Sequence, residues 1–161
     1  MPDGLLRQAK HPAIGACFAY WQAKQAARGD GRLPGRQHID PVEMATFLPY
    51  VVLFDVVRAA ADYRFRHRLT GTHFVEIFGR EVTGLYIEET GSLETFDDVY
   101  RRFAGVVNGK APAYGVSPSP VKERDFLHYE HLTLPLAGDG ETVDLLFGVR
   151  CLLPTAAGET P

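Results

Sequence analysis

Residues 63–70, YRFRHRLT, alternate between two chemistries. Successive side chains of an extended chain point to opposite faces, so Tyr63, Phe65, His67 and Leu69 share one face and Arg64, Arg66, Arg68 and Thr70 the other. A chain carrying this octet must supply a sheet with an aromatic face to cover and a charged face that water can reach. A disordered basic arm would not alternate. Gly71 then turns the chain, Thr72 is placed to cap a two-turn helix bearing Phe74, Ile77 and Phe78, and Gly79 is placed to end it.

The stretch YVVLFDVV (50–57) reads as a strand with apolar groups on both faces, joined to the octet by AAAD. Upstream, Ile14, Cys17, Phe18 and Trp21 recur at i, i+3, i+4 and i+7, which predicts an amphipathic helix over 13–28 closed by Gly29. GDGRLPGRQH is turn chemistry, and Asp40-Pro41 with Glu43 predicts a capping box opening a short helix of Met44, Phe47 and Leu48. Downstream, 80–91 is irregular, and Phe96, Val99, Tyr100, Phe103 and Val107 form the stripe of a helix over 92–108 that Asn108-Gly109 stops. Strands are expected over 126–136 and 143–153, joined by a turn at Asp139-Gly140, with a short edge strand over 114–116.

At 161 residues the chain supports one core without disulfide or metal. The organisation expected is a flexible lead over 1–12, a single domain over 13–153 and a polar tail over 154–161. A formal charge of −3 supplies no global attraction to nucleic acid or to an anionic membrane. MPDGLLRQAKHP lacks the apolar centre of a secretion signal, and no run approaches 18 apolar residues, so the expected compartment is the cytoplasm. Cys17 and Cys151 form no CxxC pair and suit reduced, buried thiols.

Few residues carry chemistry outright. His67 lies on the core-facing row, where an imidazole either finds a partner within the core or lines a pocket. In HYEH, His128 and His131 fall on opposite faces of a strand, so no shared metal ion is expected, and His131 is a second candidate pocket residue. There is no GxSxG, P-loop or HExxH. Strand 143–151 is expected to turn Val143, Leu145, Phe147, Val149 and Cys151 inward and Leu146 and Gly148 outward, between Asp144 and Arg150. An apolar patch outside a sheet needs cover, from the first helix through Phe18 and Trp21 or from a second protomer.

Two strands, a helical insertion and three strands resemble the layout of a PAS domain. RLPGRQHIDP (32–41), LPYVVLFDV (48–56), RFRHRLTGTHFVEIFGREVTG (64–84) and LPLAGDGETVDLLFGV (134–149) resemble a proteobacterial family of stand-alone PAS-like proteins over about residues 20–152. The resemblance implies an α+β fold: a five-stranded antiparallel sheet with helices on one face and a preceding N-terminal helix. It also implies ligand sensing or protein association in bacterial signal transduction, with no catalytic residues. REVTGLYIEET lacks the cysteine of flavin photosensors and 92–108 lacks a histidine for haem, which argues against both cofactors. The pocket so implied is walled by Phe65, His67, Phe74, Phe78, Phe96, Tyr100, Phe103, Tyr129 and Phe147. A partner surface would use Phe18, Trp21, Arg64, Arg66 and Leu146, in a homodimer or with a separate signalling output protein. A pure dimerisation module, or a small enzyme, are the alternative readings.

Overall fold

The computed structural model describes residues 2–90, 93–119 and 127–154. Its strands are β1 (Val51–Ala59), β2 (Asp62–Thr70), β3 (Ala113–Pro118), β4 (His128–Leu136) and β5 (Leu145–Leu152), in one antiparallel sheet of order β2-β1-β5-β4-β3. The helices are α1 (Pro2–Leu5), α2 (Pro12–Arg28), α3 (Thr72–Phe78) and α4 (Leu93–Gly109). This is the α+β, PAS-like architecture that the resemblance implies.

The octet forms β2, with Phe65 and His67 buried and Arg64, Arg66 and Arg68 exposed. A bulge interrupts the alternation: Phe54 pairs with His67 but Leu53 with Leu69, leaving Arg68 unmatched. Leu69 therefore leaves the aromatic row and is 39% exposed. The outer edge of β2 is not bare, because His67 N–H donates to Leu85 O and Gly84 N–H to His67 O. The expected irregular stretch thus serves as edge cover.

Both faces of the sheet are covered. Strand pairing puts Leu53, Leu134, Phe147, Val149 and Cys151 on one face, and α2 packs across it at β4 and β5. The His11 imidazole caps α2 by accepting from Ala13 N–H, Gly29 ends it at φ 73°, and Trp21 Nε1 donates to Pro135 O at 3.0 Å. Phe18 and Trp21 are 5% and 4% exposed, spent on their own sheet rather than on a partner. Leu146 is likewise fully buried within the chain. The faces of β5 are the reverse of those expected: Phe147, Val149 and Cys151 meet α2, whereas Leu146, Gly148 and Arg150 lie on the side of α3 and α4. The charge of Arg150 suggested solvent, but on this side the guanidinium finds carbonyl oxygens instead.

The lead, expected to be flexible, carries α1, and two residues near its end are anchored. Lys10 and His11 N–H donate to the two oxygens of the buried Glu130 at 2.8 and 2.7 Å, and the Tyr114 hydroxyl donates to the same carboxylate. Three local expectations change. Gly71, not Thr72, holds the cap position of α3, because its N–H is bound to Val51 O and a Cβ there would strike Pro49 O. Asp40 caps Val42 N–H, but Glu43 pairs with Lys24 and Tyr20 instead of closing a capping box, and the segment forms single 3-10 turns. The left-handed residue after α4 is Lys110, at φ 53°, beyond the expected Asn108-Gly109 stop. Residue 126 and most of the tail, 155–161, lie outside the described residues.

Candidate functional site

A cavity of about 100 Å³ lies between the sheet and the α3/α4 layer. Each wall follows from a local pattern. On β1 and β2 the paired Phe54 and His67 point the same way, their rings 4.8 Å apart. The two turns of α3 bring Phe74 and Phe78 over His67, at 5.6 and 5.9 Å between ring centres. From α4 come Phe96, Val99, Arg102 and Phe103; from β3, β4 and β5 come Ser117, Tyr129 and Arg150. Phe103 packs on Phe54 and Phe65 at 4.7 and 5.3 Å, which ties the helix to the sheet at the back of the cavity.

Several buried polar groups on this side of the sheet are short of partners, His67 and Arg102 in the wall and His131 outside the lining. Neither nitrogen of His67 has a hydrogen bond, and the same holds for Arg102 Nε and His131 Nδ1. Burial, reinforced by the positive charge of Arg150, pushes the His67 pKa down to about 4, so the ring is neutral at pH 7. His131 is pushed down to about 2 by burial and then by Arg102 and Arg150. Its Nε2 lies 2.9 Å from the Ser117 hydroxyl, and the ring occupies the place where a Cβ on Gly115 would stand. Arg150 is 2% exposed; burial first, and then Arg102, lower its pKa to about 10, which leaves it charged. Its guanidinium donates to Leu132 O, Val149 O and the Thr133 hydroxyl, and lies 5.6 Å from the Phe54 ring centre.

Of the pocket residues read from the sequence, His67, Phe74, Phe78, Phe96, Phe103 and Tyr129 line the cavity together. Phe65 and Tyr100 stand behind the wall: Phe65 packs on Phe103, and the Tyr100 hydroxyl accepts from Tyr63 N–H. Phe147 lies on the opposite face of the sheet, under α2. Sequence reasoning missed Phe54, Arg102 and Arg150. The signal for Arg150 was present, as a lone cation inside the apolar run LLFGVRCLL.

The arginine stripe is engaged within the chain. Arg64 pairs with Glu88 at 2.7 Å and covers the Tyr86 ring at 3.6 Å, while Arg66 and Arg68 share Asp55. A wider surface groove of about 450 Å³ runs along Lys24, Arg28, His38 and Glu43. Lys24 and Glu43 there pair with each other at 2.9 Å. His128 and His131 project from opposite faces of β4, and among the described residues no group of three candidate metal ligands comes together. Among the same residues no helix is long and apolar enough to cross a membrane.

The PAS domain family model matches residues 9–151. No curated protein matches the chain.

Proposed function

The chain belongs to the PAS domain family, a class of sensory and regulatory modules, and on that premise we propose that it senses a small molecule held in the cavity between the sheet and the α3/α4 layer. The observation carrying this reading is His67, buried to 2% exposure with both ring nitrogens unpartnered in an aromatic wall. An imidazole kept there without hydrogen bonds costs stability, and a chain needing only a filled core would do better with an apolar side chain. A ligand that bonds to the ring removes that cost.

The reading treats residues 13–153 as one domain that works without a catalytic step, passing its state to a separate protein. At about 100 Å³ the cavity is smaller than the ~300–1,000 Å³ of common ligand sites, so the molecule is small or its entry moves α3 and α4. A pure association module is the less favoured reading. At β5 neither face is left for a second protomer: the Leu146 side lies under α3 and α4 and the Phe147 side under α2 of the same chain.

The test is a thermal-shift screen against a library of small metabolites, run on the natural chain and on Val99→Phe, which adds bulk at a lining position. The expected result is stabilisation of the natural chain by some library members and none of Val99→Phe by the same members. Equal shifts in both proteins would place binding elsewhere, and no shift with any compound would remove the sensing reading.

A further inference from the structure

Two arginines reach the cavity, and among the described residues no carboxylate pairs with either. Arg102 and Arg150 flank one ring, their Cζ atoms 5.7 and 5.8 Å from the centre of Phe103. Among the described residues neither forms an ion pair: Arg150 donates only to neutral oxygens, and Arg102 Nε is buried without a partner. Asp98 also lines the cavity, one turn before Arg102 on α4, but does not pair with it. The charge of Arg102 adds to burial in lowering the pKa of Arg150, and a buried charge without a counter-ion is costly.

We propose that the ligand is a small monocarboxylate, its carboxylate held by Arg102 and Arg150 and its apolar body lying against Phe54, Phe74 and Phe78, a deduction that rests on the ligand-sensing reading above. A guanidinium matches the planar carboxylate with paired N–H donors, and the three hydrogen bonds of Arg150 leave two of its five N–H groups for such a ligand. His67, neutral beside the guanidinium, orients the molecule without adding a third cation. Phosphate fits less well: the lining is mainly apolar and includes Asp98, which opposes a second negative charge. A cavity of about 100 Å³ falls below the ~150 Å³ void that accepts benzene, so the apolar body is a short chain, and a ring enters only if α3 and α4 move.

The probes are benzoate and butyrate, their neutral isosteres benzamide and butyramide, and inorganic phosphate, titrated into the full chain by calorimetry. At least one carboxylate is expected to bind about tenfold or more tightly than its amide, since a bond to a charged partner is at stake. Arg102→Met, at a half-buried helix position, should cost the carboxylate about tenfold and leave amide binding unchanged, with Arg102→Lys in between. Urea unfolding of each variant confirms that it folds. Equal affinity for acid and amide, tighter binding of phosphate, or indifference to Arg102→Met would overturn the proposal. If neutral metabolites bind and no carboxylate does, the anion assignment falls and the sensing reading stands; if nothing binds, both fall.

Discussion

At the scale of single residues, His67 and Gly148 shape the sheet beneath α3 and α4 in opposite ways. His67 carries an unmet polar demand, so His67→Phe should raise the stability of the empty protein by about 1 kcal/mol in urea unfolding while weakening any ligand that bonds to the imidazole. The same residue sets a pH dependence. Folding lowers the pKa of His67 from 6.5 to about 4 and of His131 from 6.5 to about 2. The unfolded chain therefore binds protons that the folded chain refuses, and stability falls as the pH drops from about 6.5 towards 4, by up to about 1.4 kcal/mol per pH unit for each histidine. His67→Phe should remove one of the two contributions and flatten that slope, as read from urea midpoints between pH 7 and 4.5. Gly148 works through space: a Cβ there would collide with Leu132 O on the neighbouring strand. Gly148→Ala should cost about 2–3 kcal/mol, because strand backbone cannot retreat as a side chain can.

Among elements, the N-terminal helix carries more of the structure than its hydrophobic stripe alone indicates. Its approach to the sheet is fixed by the buried Glu130, which accepts from Lys10 N–H, His11 N–H and the Tyr114 hydroxyl. Glu130→Ala should strand these donors and cost about 1–3 kcal/mol, with faster amide exchange over residues 10–21 as the local signature. Helix and strand periods made α2, β2 and α4 legible in the sequence, because each keeps one apolar stripe over several turns or residue pairs. The faces of β5 were not legible, since LLFGVRCLL is apolar on both sides and its one arginine pointed the assignment outwards. Glu130 was hidden for a related reason: nothing within HYEH marks its carboxylate as buried, and only the folded chain shows it serving backbone amides. The candidate site was readable wherever aromatic residues lay on a periodic face, as at Phe74, Phe78 and Phe103. It was unreadable where the lining residue was charged, as at Arg102 and Arg150, because sequence patterns assign charge to solvent unless tertiary partners are known.

For the whole molecule, a sheet covered on both faces separates two jobs. The α2 side is a buried apolar core, with Trp21, Cys17 and Cys151 buried and the Cys151 thiol pushed up to about 12 by burial and then Glu130, so it is unreactive at neutral pH. The α3/α4 side keeps a cavity and carries its unmet polar groups. Trp21→Ala should thus behave as a core truncation, costing about 3–5 kcal/mol, with no change of mass in light scattering at concentrations where the variant stays folded. The most direct measurement is a protein-observed NMR screen of a small-fragment library, with shifts assigned to residues. Perturbations centred on Phe54, His67, Phe103 and Arg150 are the expected result. Perturbations confined to α2 and its sheet face or to the exposed surface, or none with any fragment, would contradict a ligand site beneath α3 and α4.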